Sequence, residues 1–487
     1  MKLMELAAVL PGVDVTPGAR AVEVARVESD SRRVSPGDLF VALRGAKADG
    51  LAHAPEAVAR GAVAVASDRP LPEGLDVPWI RVEEPRRALA LFAAELAGRP
   101  AERLVLAGVT GTNGKTSTTT LIEAILARRY GRAGLLATTV YRTPRRVIAS
   151  GRTTPEAALI QELLAEMVAD GVPAAAIEVS SHALVLERVE GCRFDLAVFT
   201  NLTRDHLDFH GTMEAYYEAK KRLFGLRKPG GIALVNVDDL YGRRLLAETA
   251  PPLASFSPAG APADFRAESI RCDLSGTSFD IVHAGGRFAL SSPLLGRFQV
   301  ANLLGAAAAG VCLGVPETDI AAAIAGVGSV PGRLERVEAG QPYLILVDFA
   351  HTPDALERLL SSVRELTEKK IVLVFGCGGD RDRGKRAPMG EIAGRLSDIA
   401  IATSDNPRSE SPEAILREVE AGLLASGATK YLKIVDRREA IRAAVELANP
   451  GTVVVIAGKG HETTQSIGGR ELPFDDRQVA SELAGKP

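Results

Sequence analysis

The sequence is poor in cysteine and has no excess of either charge. Its 487 residues include four cysteines, whose wide spacing matches neither a disulfide framework nor a zinc site. Lysine and arginine number 58 against 61 acidic residues, a formal net charge of −3, so no broad basic surface is available to bind nucleic acid. We therefore expect a protein of the reducing cytoplasm that binds anions only at local sites.

Long apolar stretches are also missing. Residues 1–11 lack the basic region, apolar stretch and cleavage site of a secretory signal, so none is expected. The longest charge-free run, residues 298–316, approaches the ~20 residues of a membrane span. Because Gln299, Asn302 and repeated Gly and Ala weaken its apolar character, we predict a buried helix and no membrane span.

The length and the pattern of apolar runs predict three α/β domains, at residues 1–99, 100–331 and 332–487. The first has short apolar runs at 62–66 and 79–82 and a helical stretch at 87–96. The other two repeat a strand-like run followed by a helical pattern, which predicts parallel sheets covered by helices. These runs are residues 104–109, 174–179, 196–200 and 232–237, then 343–347, 371–375, 399–403 and 452–456.

A glycine-rich loop joins the first strand of the middle segment to a helix. It consists of Gly111, Thr112, Asn113, Gly114, Lys115, Thr116 and Ser117. Glycines let backbone N–H groups point at one anion, the helix presents its positive end, and the lysine reaches the outer phosphates. Thr116 would ligate Mg²⁺. The first glycine is not at the position of the G-x-x-x-x-G-K-[ST] pattern, and a turn without ligand is the alternative, but the strand and helix context favours nucleotide binding.

Polar side chains at strand ends are candidate metal ligands. Glu178 ends one strand, and Asp205, His206, Asp208 and His210 follow the next. Ligands of parallel sheets lie outside the carboxyl ends of the strands, which favours function over a capping or surface role. Residues 236–239 lack the lysine of the N-K-x-D guanine signature, which argues against a GTPase switch.

Together these motifs resemble the ATP-dependent Mur ligase family, and most closely its MurE-type branch. The resemblance covers nearly the whole chain and rests on residues 111–117, 153–156, 178–184, 201–210, 331–333, 348–354, 376–386, 405–408 and 458–462. It implies a small N-terminal α/β domain that binds UDP, a central P-loop ATPase-like domain with a parallel sheet, and a C-terminal Rossmann-like domain that brings the amino acid.

The resemblance also implies a reaction. ATP would phosphorylate the terminal carboxylate of UDP-N-acetylmuramoyl-L-alanyl-D-glutamate, and an amine would displace phosphate from the acyl phosphate to form an amide. The product would be a precursor of peptidoglycan, the cell-wall polymer needed for cell shape and division. The alternatives are a lysine-adding relative, a folylpolyglutamate synthetase-like ligase, and a non-catalytic nucleotide-controlled binding protein.

Residue roles follow from the same resemblance. Catalysis and metal binding would fall to Lys115, Glu178, His206, Thr116 and a carbamylated Lys220. Besides the loop residues, ATP binding would involve four others, Asn302, Arg333, Asp348 and His351. The UDP-muramoyl dipeptide would contact Ser29, Ser31, Ala46, Lys47, Ala48, Thr153, Thr154, Ser180 and Arg188. The implied cofactors are ATP, Mg²⁺ and CO₂ as the carbamate, and the implied state is a monomer.

Lys220 has a second interpretation from the residues alone. Lys220, Lys221 and Arg222 are three adjacent bases, and such runs usually lie on an exposed helix face. Departures from the family pattern occur at Ala46 and Leu186, where some relatives carry His and Gln, and at Phe349, where relatives often have Tyr.

One tetrapeptide indicates which amino acid the ligase would add. By resemblance, Asp405, Asn406, Pro407 and Arg408 go with meso-diaminopimelate, whereas lysine-adding relatives lack the arginine. The chemistry agrees, since a guanidinium can bind the extra carboxylate with two parallel hydrogen bonds. Arg381, Gly458 and Glu462 match the other family contacts, with Glu462 suited to the distal ammonium.

Overall fold

The structure, a computed structural model, describes residues 1–16, 19–45 and 49–485. The chain divides into two compact units. The first comprises Met1–Ala267, Ile281–Phe288 and Ala301–Ala323, and the second comprises Glu268–Asp280, Ala289–Val300 and Ile324–Pro487.

The N-terminal part contains a five-stranded sheet. Its elements are α1 (Leu3–Ala7), β1 (Asp14–Val15), β2 (Arg26–Glu28), β3 (Asp38–Val41), α2 (Ala54–Ala59), β4 (Ala64–Ser67), β5 (Trp79–Arg81) and α3 (Pro85–Leu96). The strand order is β1-β5-β4-β3-β2, parallel except for β1. α3 buries the face that carries Ala88, Leu89 and Phe92, because these apolar residues recur at helical spacing.

An eleven-stranded sheet follows. Its elements are β6 (Val105–Thr110), α4 (Lys115–Tyr130), β7 (Gly134–Leu136), β8 (Val140–Arg142), β9 (Val147–Ala149), α5 (Ala157–Ala169), β10 (Ala174–Glu178), α6 (Ser181–Val185), β11 (Phe194–Phe199), α7 (Leu207–His210), α8 (Met213–Gly225), β12 (Arg227–Asn236), α9 (Leu240–Glu248), β13 (Leu253–Ser257), β14 (Phe265–Asp273), β15 (Gly276–His283), β16 (Gly286–Ser292), α10 (Gln299–Cys312) and α11 (Glu317–Ala325). The strand order is β16-β15-β14-β13-β12-β11-β6-β10-β7-β8-β9.

The centre of this sheet is parallel, which places three strand ends side by side. β6 pairs with β10 and with β11, and the registers set Glu178 opposite Val109 and Phe199 opposite Thr110. Every residue of β10 is buried, as expected for a strand covered on both faces. The glycine-rich loop after β6 therefore lies between the segments that follow β10 and β11.

The C-terminal part contains a six-stranded sheet. Its elements are β17 (Glu335–Arg336), β18 (Leu344–Asp348), α12 (Pro353–Leu366), β19 (Lys370–Cys377), α13 (Arg386–Leu396), β20 (Ile399–Ser404), α14 (Pro412–Ala425), β21 (Tyr431–Lys433), α15 (Arg437–Glu446), β22 (Thr452–Ala457), β23 (Thr464–Ile467), β24 (Arg470–Pro473) and α16 (Asp476–Ala484); β23 and β24 form a separate pair. The order is β17-β18-β22-β19-β20-β21, parallel except for β17.

Helices cover both faces of the six-stranded sheet. Alternate residues of β19 enter opposite cores: Leu373 and Phe375 pack with α12, α13 and α14, while Val372 and Val374 pack with α15 and α16. This is the arrangement of a doubly wound α/β domain, as the sequence predicted.

The predicted strands and the helix within residues 298–316 are confirmed, the latter as α10. No helix among the described residues combines the length and apolar character needed to cross a membrane. The strands β14, β15 and β16 were not predicted, because none of them is a continuous buried run; in β15, for example, buried residues alternate with partly exposed ones.

Candidate functional site

The loop between β6 and α4 is held against the segment after β11. The Asn113 N–H donates to the Asn201 side-chain oxygen at 3.0 Å, and the Thr200 hydroxyl donates to the Asn113 carbonyl at 2.7 Å. Gly111 has a φ of +152°, and a Cβ there would lie 1.8 Å from the Thr200 hydroxyl oxygen, so only glycine fits. α4 begins at Lys115, which places the positive end of the helix at the loop.

Asn302 of α10 lies beside the same loop. Gly114 has a φ of +81°, and a Cβ there would lie 2.2 Å from the Asn302 side-chain oxygen. The Lys115 ammonium donates to the Thr112 carbonyl at 2.9 Å, so the side chain turns back over the loop. The structure thus brings together the glycines, the lysine and the amide that were predicted for nucleotide binding.

Glu178 reaches from the end of β10 to the start of α4. Its Oε1 accepts a hydrogen bond from the Thr116 hydroxyl at 3.2 Å, and its Oε2 accepts from the N–H and the hydroxyl of Thr138, both at 2.9 Å. The Thr138 hydroxyl also lies 3.1 Å from that of Thr153. Two predicted metal ligands, Thr116 and Glu178, are therefore in contact, and both present oxygen atoms, which Mg²⁺ prefers.

The segment after β11 forms a cluster of rings. His206 has a φ of +51°, and its ring lies 4.9 Å from that of His182 and 6.3 Å from that of Tyr216. His210 stacks on Tyr216 at 4.7 Å, and burial, with the nearby His182 imidazole, lowers the pKa of His210 to about 4. His206 is half-exposed, and its Nε2 lies 3.4 Å from a carboxylate oxygen of Asp205.

Lys220 is buried under the glycine-rich loop. Lys220 is 1% exposed, and its Nζ donates to the Gly111 carbonyl at 2.5 Å. The Nζ also lies 4.5 Å from the centre of the Tyr216 ring. Burial, followed by the charge of Lys115, lowers the pKa of Lys220 well below its ordinary value. The interpretation of Lys220 as a base on an exposed helix face is wrong; Lys221 is the neighbour with a partly exposed side chain.

Among residues 1–16, 19–45 and 49–485, no three His, Cys, Asp or Glu side chains are grouped to hold a metal ion by themselves. The predicted ligand set includes only two such residues, Glu178 and His206, with Thr116 and a modified Lys220 completing it.

A second network extends from Glu178 to Arg188. The Thr154 hydroxyl donates to the Glu178 carbonyl at 2.8 Å and accepts from the Ser180 N–H at 3.0 Å. Arg188 donates through Nη1 to the Thr154 carbonyl at 3.3 Å and pairs through Nη2 with Glu156 at 3.0 Å. Burial lowers the pKa of the Arg188 guanidinium. Hydrogen bonds therefore connect Thr154, Ser180 and Arg188, which were predicted for dipeptide binding, to the predicted metal ligand Glu178.

The predicted residues of the N-terminal sheet follow β2 at its carboxyl end. The Ser29 N–H donates to the Glu28 side chain at 2.8 Å, and the Ser31 hydroxyl donates to that of Glu56 at 2.8 Å. The other three predicted residues here, Ala46, Lys47 and Ala48, lie outside the described residues.

The C-terminal unit gathers its predicted residues after β20 and β22. Asp405 is buried, and its Oδ2 has no hydrogen-bond partner in the part of the chain that the structure describes. Gly458 has a φ of +120°, and a Cβ there would lie 2.5 Å from this oxygen. Arg408, which follows Pro407, donates through Nη1 to the Gly379 carbonyl at 2.7 Å. The site can thus offer an acceptor oxygen and a guanidinium to one ligand.

Glu462 and Asn406 contact each other, and Arg381 lies in the exposed segment after β19. The Asn406 amide nitrogen donates to Glu462 Oε2 at 2.9 Å. Arg381 is exposed, and its Nη1 donates to the carbonyl of Asp380 at 3.3 Å.

A third group surrounds Phe349 after β18. Asp348 accepts from the Leu334 N–H at 2.8 Å, and burial raises the pKa of its carboxyl group. His351 donates through Nδ1 to the Phe349 carbonyl at 2.8 Å, and the Arg333 guanidinium lies 5.4 Å from the Phe349 ring centre. Arg333, Asp348 and His351, all predicted nucleotide contacts, are therefore close neighbours.

Comparison with known proteins identifies the family. Three domain families match in chain order: "Mur ligase family, catalytic domain" at residues 23–96, "Mur ligase middle domain" at 109–310, and "Mur ligase, glutamate ligase domain" at 332–460. The UDP-N-acetylmuramoyl-L-alanyl-D-glutamate--2,6-diaminopimelate ligase of Geobacillus kaustophilus is 47% identical, over 99% of this chain and 98% of that protein. The chain belongs to the Mur ligase family.

Two further proteins are similar to this Mur ligase over nearly its whole length. The ligase of the same name from Geobacter metallireducens is 44% identical, over 98% of this chain and 97% of that protein. A solved structure of a UDP-N-acetylmuramoyl-L-alanyl-D-glutamate--2,6-diaminopimelate ligase is 33% identical, with a TM-score of 0.74, and the alignment covers 99% of this chain and 98% of that one. The three-domain α/β fold predicted from the sequence is confirmed.

Thr138 and Lys459 of this Mur ligase contact predicted site residues without having been predicted themselves. Arg437 donates to the carbonyl of Ala457, directly before the predicted Gly458. Lys459 lies inside the motif at residues 458–462, so its position carried a signal. Thr138 and Arg437 lie outside every motif, and only the folded chain brings them to the strand ends.

Proposed function

We propose that this Mur ligase joins meso-2,6-diaminopimelate to UDP-N-acetylmuramoyl-L-alanyl-D-glutamate in peptidoglycan precursor synthesis, with ATP converted to ADP and phosphate. The observation that carries the proposal is the 47% identity, over nearly the whole of both chains, to a protein named for that reaction. The contact of Thr116 with Glu178 beside a glycine-rich loop supports it independently.

The loop would hold the triphosphate. The backbone from Gly111 to Ser117 and the N-terminus of α4 would bind the phosphates, and Lys115 would offset the negative charge that builds at the γ-phosphoryl group. Asn302 is assigned to the nucleotide because it lies beside Gly114. Arg333, Asp348 and His351 are assigned to it on their predicted roles and their proximity around Phe349.

The metal ligands would be Thr116, Glu178, His206 and the carbamate of Lys220. Mg²⁺, when bound, neutralises phosphate charge and aligns the reacting oxygens. A lysine ammonium cannot bind a cation, whereas a carbamate presents anionic oxygen. The burial of Lys220 favours the neutral amine, whose lone pair can attack the carbon of CO₂ with loss of one proton from nitrogen.

The dipeptide carboxylate would lie over the network around Thr154. Arg188 supplies a buried positive charge, and Thr153 and Ser180 supply hydroxyl groups, which suit a carboxylate or a diphosphate. Ser29 and Ser31 are assigned to the UDP end with Ala46, Lys47 and Ala48. Phosphorylation makes the carboxylate an electrophile, because phosphate is a good leaving group and an oxide ion is not.

The amino acid would bind in the crevice after β20 and β22. Arg408 would bind the carboxylate of the distal amino-acid end, and Asp405, whose buried Oδ2 has no recorded partner among the described residues, would accept from an ammonium group. The other residues assigned to amino-acid binding are Glu462, Asn406, Pro407, Gly458 and Arg381.

We also propose that the protein is a cytoplasmic monomer with the domain boundaries predicted from the sequence.

An assay of phosphate release tests the reaction. The protein, ATP and Mg²⁺ are incubated with the UDP-muramoyl dipeptide and meso-diaminopimelate, L-lysine or ornithine, and each substrate is omitted in turn. We expect release only when dipeptide and amino acid are both present, fastest with meso-diaminopimelate. Fastest phosphate release with lysine would show that lysine, rather than meso-diaminopimelate, is the amino acid added. Release with a folate and glutamate would support the folylpolyglutamate alternative.

Replacing Arg408 tests the amino-acid assignment. Arg408→Ala is expected to lose preference for meso-diaminopimelate over lysine by roughly 2–5 kcal/mol, because one partner of a desolvated ion pair is removed. Arg417→Ala is the matched control, since Arg417 is exposed on the neighbouring helix α14. An unchanged preference in Arg408→Ala would contradict the assignment.

A further inference from the structure

A lysine is buried beneath the proposed amino-acid crevice. Lys459 is 0% exposed, and its Nζ donates to three oxygen atoms. These are the Thr464 carbonyl at 2.6 Å, Glu462 Oε2 at 2.9 Å and the Asn406 side-chain oxygen at 3.3 Å. Because Lys459 has no exposed surface, it cannot contact a ligand directly, and the groups that it holds are what a ligand would reach.

The Asn406 side chain is also turned toward the protein. Its oxygen accepts from the Ser466 N–H at 2.9 Å as well as from Lys459, and its nitrogen donates to Glu462 Oε2 at 2.9 Å. Both Lys459 and Asn406 therefore meet at the same oxygen of Glu462. The Glu462 side chain is 36% exposed, so the carboxylate is held on one side and open on the other.

We propose that Lys459 is a positioning residue, which with Asn406 fixes Oε2 of Glu462 and directs Oε1 into the crevice as a charged acceptor for an ammonium group of the amino acid. The proposal rests on the proposed function and deepens it. Two donors on Oε2 leave Oε1 as the oxygen that can take a ligand, so the carboxylate cannot rotate to an equivalent arrangement without breaking both bonds.

The charges around Glu462 explain why the lysine is needed. Burial raises the pKa of this carboxyl group, but the Lys459 charge, the two side-chain hydrogen bonds and the nearby His461 together hold it below its ordinary value. The Arg437 guanidinium on α15 also acts on it. The Lys459 charge is the largest effect that counteracts burial at Glu462. Without it, the pKa of Glu462 should rise, and the carboxylate should become protonated at higher pH.

The test compares Lys459→Met with Lys433→Met. Methionine removes the charge with little change in length, and Lys433 is an exposed lysine at the end of β21 that pairs with Glu420. We expect the KM for meso-diaminopimelate to rise at least about tenfold in Lys459→Met, because a hydrogen bond to a charged group contributes roughly that factor. The KM for ATP should stay unchanged, and Lys433→Met should resemble the wild type.

The pH dependence separates positioning from damage to the fold. Relative to the wild type, the KM of Lys459→Met for meso-diaminopimelate should rise further as the pH falls from about 8 to about 6, as Glu462 takes up a proton. The double variant Lys459→Met/Glu462→Gln leaves no unpaired buried charge, so it should fold, bind diaminopimelate weakly and lose this additional pH dependence.

The outcomes are distinct. A wild-type KM and pH profile in folded Lys459→Met would overturn the inference, as would a double variant that keeps the added pH dependence. If Lys459→Met does not fold, the double variant decides: diaminopimelate binding equal to that of the wild type would overturn the inference. Failure of the wild type to release phosphate with both substrates would instead refute the proposed function.

Discussion

Arg437 and Asp476 form an ion pair in which both side chains are 0% exposed, and replacing the arginine should destabilise the C-terminal unit strongly. Arg437 donates to the two carboxylate oxygens through Nε and Nη2, each at 2.7 Å. It also donates to the Ser404 carbonyl at 3.3 Å and to the Ala457 carbonyl at 3.0 Å. One guanidinium therefore joins the ends of β20 and β22, from which the proposed amino-acid crevice begins.

The magnitude follows from what each substitution leaves behind. Arg437→Met leaves the Asp476 carboxylate buried without its partner, which costs about 3–5 kcal/mol. At about 2–4 °C per kcal/mol for a unit of this size, the transition of this unit should move down by roughly 6–20 °C. The double variant Arg437→Met/Asp476→Leu removes both charges and should melt near the wild-type temperature, because apolar replacements of a buried pair are often neutral.

Differential scanning calorimetry measures both variants beside Arg438→Met. Arg438 is the next residue and pairs with Glu482 at 2.7 Å, but both side chains are more than a third exposed, so its removal should cost about 1 kcal/mol or less. A single variant that melts like this control would refute the reasoning. A double variant as unstable as the single one would show that the carbonyl hydrogen bonds, rather than the ion pair, stabilise this region.

Three further variants test other parts of the molecule. Lys115→Ala should abolish phosphate release while the circular dichroism spectrum stays that of the wild type; retained activity would refute the loop assignment. Lys220→Ala should be inactive and should lack a carbamate signal in carbon-13 NMR with labelled bicarbonate, and wild-type protein without that signal would refute the carbamate. Arg386 and the Asp380 N–H hold the pKa of Glu410 at about 2, below its ordinary 4.5, so the stability that this pairing provides is present above pH 4.5 and is lost as the pH falls toward 2. Melting temperatures of Glu410→Gln should therefore fall less than those of the wild type over that range, and parallel curves would contradict the assignment.

The parallel strands could be predicted because burial on both faces gives them a simple signature. β10 and β22 are buried at every residue, and each ends where the sequence turns polar. The polar residues after such strands then lie at one sheet edge, which is why Glu178 and the glycine-rich loop were correctly placed together. β14 and β15 lacked this signature, since their alternate residues remain partly exposed.

The burial of Lys220 could have been found from helix periodicity. Tyr216, Leu223 and Phe224 are also buried on α8, at positions −4, +3 and +4 from Lys220, so the lysine lies in the apolar stripe of the helix. The run of three adjacent bases indicates an exposed face instead, and here the helical spacing is the better guide. Thr138 had no comparable signal, because it meets Glu178 only through the pairing of β7 with β10.

Two buried cations share one arrangement in the C-terminal unit. Lys459 donates to the Thr464 carbonyl, and Arg437 donates to the carbonyls of Ser404 and Ala457. A cation that binds a loop from inside fixes its backbone without occupying the surface that a substrate would reach. Sequence alone suggests that Lys459, which stands between two glycines, contacts an anionic ligand, but its burial assigns it to the support of the loop. Substituting either residue should therefore change substrate affinity through geometry, and a neutral side chain of equal size should not restore it.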